Sequence, residues 1–233
     1  MTTRNWLVGL LALLPLTAQS AKPGEEVLRY SLNWPSGIVL GELTWSTTSP
    51  AAKAGASGTQ WNSEMVLEAA IPAFPVRDSY RSIADHDLCA VEAQKVVHHG
   101  KRNSEETTSF DRAGRTAVRQ TKGGGKTELS TGGCAHDALG FLNLIRVELA
   151  QGRIPASQTV YFGSPYQVNL EYGGEAKVVV AGKSLPADRL TGSIRGPASR
   201  TTFELFLSRD PSRTPLAARV PIPIGTLTLE LVP

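Results

Sequence analysis

The stretch Thr121–Ser130 reads TKGGGKTELS. Three glycines running into Lys126 and Thr127 are the ending of a loop whose backbone N–H groups cradle phosphate oxygens. The full pattern needs a glycine at position 120, and that position is Gln120. It also needs a helix directly after the Lys-Thr pair, so that the helix N-terminus faces the phosphates. Here Glu128-Leu129-Ser130-Thr131 is followed by Gly132-Gly133, which would stop a helix within a turn. The stretch reads as a flexible basic loop between two β segments, and no nucleotide is expected to bind it.

The chain holds two cysteines, Cys89 and Cys134, and four histidines. In an oxidising compartment the cysteines are expected to form a disulfide. Closing a loop of about 46 residues would stabilise the fold by roughly 4 kcal/mol in the chain-entropy model. The alternative chemistry is a metal held by Cys89, Cys134, His86 and His136, because each cysteine has a histidine two or three residues away. The spacing is not C-x₂-C, and exported thiolates oxidise, so no metal or other cofactor is assigned. His98-His99 are strand neighbours that point to opposite faces and read as solvated strand-end residues.

Catalytic patterns are absent from the sequence: no G-x-S-x-G elbow and no H-E-x-x-H. Asp85-His86-Asp87 pairs an acid with a base, but strand alternation would set both carboxylates on one side and the imidazole on the other. Opposed carboxylates for sugar hydrolysis are not legible in a single sequence. Trp34, Trp45, Trp61 and Tyr80 could form a ligand-facing aromatic surface, with Phe141 from the helix below. Aromatics at strand spacing serve equally well as core.

These residues need a scaffold. The opening MTTRNWLVGLLALLPLTAQS has a basic Arg4, an apolar run Trp6–Leu16 and small residues around Ser20. It reads as a secretory signal peptide over residues 1–20, too short in its apolar run to span a bilayer. After cleavage no transmembrane segment is expected, and the mature protein is expected to be periplasmic or secreted. Losing residues 1–20 removes only Arg4 and leaves 23 basic against 21 acidic residues. Such a mixed, nearly neutral surface argues against nucleic acid and against polybasic membrane attraction.

Residues 21–233 read as a single β-rich domain, with Ser49–Gly58 as a mobile loop inside it. Period-2 alternation recurs in short runs such as Val27–Trp34, Ile38–Thr47, Ser79–Asp87, Cys89–His99 and Thr226–Val232. Arg112-Ala113-Gly114 is expected to turn with glycine at positive φ, and Gly173-Gly174 to close a two-residue hairpin. One segment has helical period: Asp137–Gly152, with Asp137 as N-cap and Ala138, Phe141, Leu142, Ile145 and Leu149 on one face. The expected fold is mainly β, a large curved antiparallel sheet or open β-barrel of about twelve strands with one packed α-helix. That helix either packs as core or gates a ligand cavity.

Several stretches resemble a family of exported bacterial proteins, domain of unknown function 3108. They are Gly37-Ile38 with Gly41-Glu42, Ser79-Tyr80, Phe110-Asp111, the helix DALGFLNLIR from Asp137 to Arg146, and the closing run containing Ser208, Asp210, Pro215 and Gly225. Gly140 stands where the family usually has Ser, and Phe206 where Trp is common. The resemblance implies a periplasmic β-rich fold with no assigned reaction and no catalytic residues. Asp137 and Arg146 then read as a helix cap and a helix-surface ion partner. The expected role is non-enzymatic binding of a lipid, another apolar or amphipathic ligand, or an envelope protein. A carbohydrate-active enzyme using strand carboxylates and a ligand-free assembly module are the alternatives.

Overall fold

The computed structural model describes residues 25–48, 60–71, 74–197, 199–223 and 225–233. The signal peptide read at residues 1–20 and the loop read at Ser49–Gly58 lie outside the described residues.

Among the described residues, fifteen strands form one sheet. In chain order they are β1 Glu25–Asn33, β2 Val39–Thr48, β3 Trp61–Ile71, β4 Phe74–Ala84, β5 Ala90–His99, β6 Arg102–Asp111, β7 Thr116–Thr121, β8 Lys126–Ser130 and β9 His136–Asp137. Helix α1 Ala138–Ala150 follows. Then come β10 Gln158–Phe162, β11 Ser164–Val180, β12 Lys183–Arg195, β13 Arg200–Ser208, β14 Pro215–Ile222 and β15 Gly225–Val232. The spatial order is β8-β7-β6-β5-β4-β3-β2-β1-β15-β14-β13-β12-β11-β10-β9. Each neighbour pair is antiparallel except β9–β10, which is parallel and makes the sheet mixed.

The mainly β fold with one helix is the one expected, with more strands than the twelve or so counted. β9, β10 and the hairpin partner β8 carry too few residues to declare an alternating pattern. Two turns also differ. Gly173-Gly174 does not end a hairpin; it sits at a register shift between Tyr172 and Glu175 inside the 17-residue β11, and the chain reverses between Val180 and Lys183 instead. A glycine pair supplies positive φ, here at Gly174, which a bulge uses as readily as a turn. After Asp111 the positive φ falls on Arg115 (53°), not on Gly114, whose N–H is held by Asp111 Oδ1.

The two sheet edges, β8 and β9, do not pair with each other. The β9–β10 edge instead tucks against the inner face of β4–β8. Tyr161 donates to Ser130 O (2.9 Å) and meets Phe110 edge-on (5.6 Å), and Phe162 stacks on Tyr80 (4.9 Å). Gly163 turns the chain at this overlap with φ at 75°, a conformation that side-chain-bearing residues rarely adopt, and it lies against the Glu106 carboxylate. The sheet is therefore a roll, open by hydrogen bonding and shut by side chains.

Helix α1 lies inside the roll. Phe141, Ile145 and Leu149 form one cluster with Val160, Val168, Leu170, Leu190, Leu205 and Leu207 from β10–β13. Ile145 and Leu190 are 1% and 0% exposed. Burying a side chain of that size contributes about 1.5–3 kcal/mol. A smaller cluster of Tyr30, Leu43 and Trp45 abuts the helix through Leu142.

Candidate functional site

Beside that apolar contact, the helix meets the roll's other wall, β1–β4, through polar groups. Asp137 caps it, accepting from the N–H groups of Leu139 (2.9 Å) and Gly140 (3.2 Å) at Oδ1 and from Ser82 Oγ (2.6 Å) at Oδ2. Burial raises the carboxyl above its usual range, while these donors pull it back. Asn143, 2% exposed, donates to Ser63 Oγ (2.9 Å). Arg146 forks onto both Glu26 oxygens (2.6 and 3.0 Å), donates to Ser212 O, and lies over the Trp45 ring (5.5 Å). Arg146 was expected as a helix-surface ion partner. The ion pair is there, but the side chain is largely buried, a strut joining helix, first strand and the loop after β13. Tyr30 braces the same corner by donating to Pro215 O (2.9 Å), and burial holds its hydroxyl well above its ordinary pKa.

The residues read as candidates separate into three places. Trp45 (2% exposed) and Phe141 (5%) are core, and Tyr80 is half-buried, its hydroxyl donating to Asp78 Oδ2 (2.9 Å). Trp61 lines a cavity of about 340 Å³ at the helix C-terminal end, beside Asn143, Arg146 and Pro211. Trp34 lines a larger groove of about 850 Å³ on the sheet face turned away from the helix. The five do not converge on one surface.

The groove at Trp34 is built by four strands. Register places Asn33, Thr228, Arg219 and Glu204 in one row across β1, β15, β14 and β13, with Ser31 opposite Glu230 beside it. These are the residues between the inward Tyr30, Leu205, Ala218 and Leu229, so alternation turns them outward. Asn33 Nδ2 donates to Glu230 Oε2 (3.3 Å), and Arg219 lies 3.9 Å from Glu204 while stacking over Phe206 (4.7 Å). The β1–β2 turn bends over the groove, with Pro35 seated where a Cβ on Gly225 would be 2.5 Å away. Strict alternation would set Val39 on the same side as Leu43 and Trp45. A register shift at Leu32/Asn33 flips it, leaving it 61% exposed at the groove. Sequence reasoning missed the groove's charged floor. The alternation Thr226-Leu227-Thr228-Leu229-Glu230 carried its one local signal, a polar stripe on β15.

Cys89 and Cys134 form a disulfide (S–S 2.01 Å), which ties the start of β5 to the chain entering the helix. Bonded sulfurs offer no thiolate, so the four-ligand set with His86 and His136 is not assembled. His136 Nδ1 meets Leu88 O (2.8 Å) and its Nε2 lies 3.7 Å from Cys134 Sγ, while His86 is exposed beside Asp87. Asp85-His86-Asp87 is a turn, not a strand; Asp85 Oδ1 accepts from the N–H groups of Asp87 and Cys89, and Arg112 bridges both carboxylates. Asp85, Asp87 and Cys89 sit close enough to suit a cation, but the sulfur is committed to the disulfide and the carboxylates to Arg112. His99, read as solvated, instead meets the buried Asp78 (2.9 Å). Lys126 and Thr127 open β8, and the glycine run before them is a hairpin turn with Gly124 at positive φ. Among the described residues, no helix is long and apolar enough to cross a membrane.

The fold has a solved counterpart. A crystal structure of a beta-barrel-like protein of domain of unknown function DUF1849 from Brucella abortus matches with a TM-score of 0.61 at 11% identity, covering 89% of this chain and 94% of that one. A Parabacteroides distasonis protein described as a candidate lipoprotein matches with a TM-score of 0.33 at 8% identity, over 89% and 93% of the two chains. A Bacteroides fragilis protein described as a candidate exported protein with a YmcC-like fold gives the same values, 0.33 and 8%, over 89% and 93%. Among curated proteins, none matches the chain. The family model for proteins of unknown function DUF3108 matches residues 29–232, nearly the whole described span, and the chain belongs to that family.

Proposed function

We propose that this is an exported, non-enzymatic binding protein of the cell envelope, a single β-rich domain over residues 21–233 once the leader 1–20 is removed. It takes an amphipathic ligand on the outer groove at Trp34, not inside the roll. The observation that carries this reading is the helix: Phe141, Ile145 and Leu149 occupy the interior that a carrier barrel would leave for its cargo. The groove's 850 Å³ lies within the size range of small-molecule sites, and it joins an indole to charged and hydroxyl groups. The disulfide agrees with an oxidising compartment. The acid-base stretch read from the sequence is tied up elsewhere, with Asp85 and Asp87 both held by Arg112.

Native mass spectrometry of protein recovered from the exported compartment tests the reading. Wild type should carry a non-covalent adduct, and Trp34→Ala should be bare while Trp61→Ala keeps it. A bare wild type, or an adduct indifferent to Trp34, would turn the weight to the ligand-free assembly module.

A further inference from the structure

We infer that the groove at Trp34 binds a neutral oligosaccharide, an inference that rests on the groove being the binding site. The floor excludes the simpler ligands. A purely apolar chain laid on it would strip water from Asn33, Thr228, Arg219 and the two glutamates and return no hydrogen bond. An anionic ligand meets Glu204 and Glu230 against one guanidinium, and Arg219 is already engaged by Glu204 and Phe206. A peptide cannot extend the sheet there, because β13, β14, β15 and β1 are each paired on both sides.

A pyranose satisfies both parts of the groove. Its C–H face is apolar and suits the indole and the proline wall; its equatorial hydroxyls donate to carboxylates and accept from amide and hydroxyl groups. Ionised acceptors such as Glu230 make the stronger class of hydrogen bond. The geometry also has length. Neighbouring strands stand about 4.8 Å apart, so the row from β1 to β13 runs roughly 14 Å, enough for more than one sugar ring. The turn that carries Trp34 is closed by main-chain hydrogen bonds, Gly37 N–H to Trp34 O (2.8 Å) and Trp34 N–H to Ile38 O (2.8 Å), so little backbone ordering remains for binding to impose.

Titration calorimetry with three neutral probes, cellotetraose, maltotetraose and chitotetraose, tests the inference on the mature protein. At least one should bind saturably and with little dependence on salt. Trp34→Ala should weaken it at least about tenfold, and Glu230→Gln by several-fold. Trp34 and Glu230 lie off the helix-packed core, so both variants should fold, and circular dichroism checks this. If none of the probes binds while the native adduct still depends on Trp34, the carbohydrate inference fails and the binding reading stands. If the adduct is absent as well, both fail. Shortened probe in the cell would uphold sugar recognition and overturn the non-enzymatic role.

Discussion

The two walls that enclose helix α1 hold it by different means. Toward β10–β13 the contact is apolar: Val168, Leu170, Leu190, Leu205 and Leu207 against Phe141, Ile145 and Leu149. Toward β3–β8 the inner face is largely polar, with Ser63 and Ser82 bonding the helix and Lys95, Glu106 and Arg119 gathered under the β10–β11 corner. Arg119 reaches across to Gly163 O (2.5 Å), and Lys95 sits over Phe162 (4.4 Å). Apolar contact is strong and tolerant of small shifts; hydrogen bonds between buried groups are directional and costly to leave half-made. The first wall therefore holds the helix mainly by burial, and the second by directional bonds that fix where the helix sits.

Substitutions can break that contrast. Leu190→Ala, at a fully buried site of the apolar wall, should cost about 3–4 kcal/mol in urea unfolding. Asn143→Ala leaves the buried Ser63 hydroxyl with Thr47 alone and should cost less, about 1–3 kcal/mol. Equal losses at the two sites would erase the distinction between walls. Alkaline pH should show a smaller effect through Tyr30. Its folded pKa lies above the ordinary 10.0, so its contribution is full below pH 10 and is lost as pH rises through the folded value. The stability gap between wild type and Tyr30→Phe should therefore shrink above pH 10. A gap constant with pH would mean that Tyr30 ionises as freely as in the unfolded chain.

The sequence made the apolar wall legible and hid the polar one. Helix α1 announced itself through the 3.6-residue spacing of Phe141, Leu142, Ile145 and Leu149 and through Asp137, whose capping role needs only local chemistry. Strand alternation shows that a strand has two faces but not which one points inward. Ser63, Ser82 and Thr108 are polar residues facing in, so the usual inference from hydropathy reverses on that wall. Gly140 shows the same non-local dependence. Beside it, the Asp137 cap is completed by the Ser82 hydroxyl on β4, 55 residues away. The groove was harder still, because Asn33 and Glu230 become neighbours only when β15 pairs with β1, across 197 residues. Gly173-Gly174 misled for a different reason: the backbone freedom that makes a hairpin turn also makes a bulge.

The central claim is that helix α1 is a fixed part of the core and not a gate over a hidden cavity. Native-state hydrogen exchange of the amides from Phe141 to Leu149 tests it most directly. If the helix is core, these amides exchange only by global unfolding, with the same free energy and the same response to urea as the amides of β12 and β13. Exchange of the helix through a separate local opening, several kcal/mol below the global value, would show that it leaves the roll, and the interior would then replace the Trp34 groove as the place where a ligand binds.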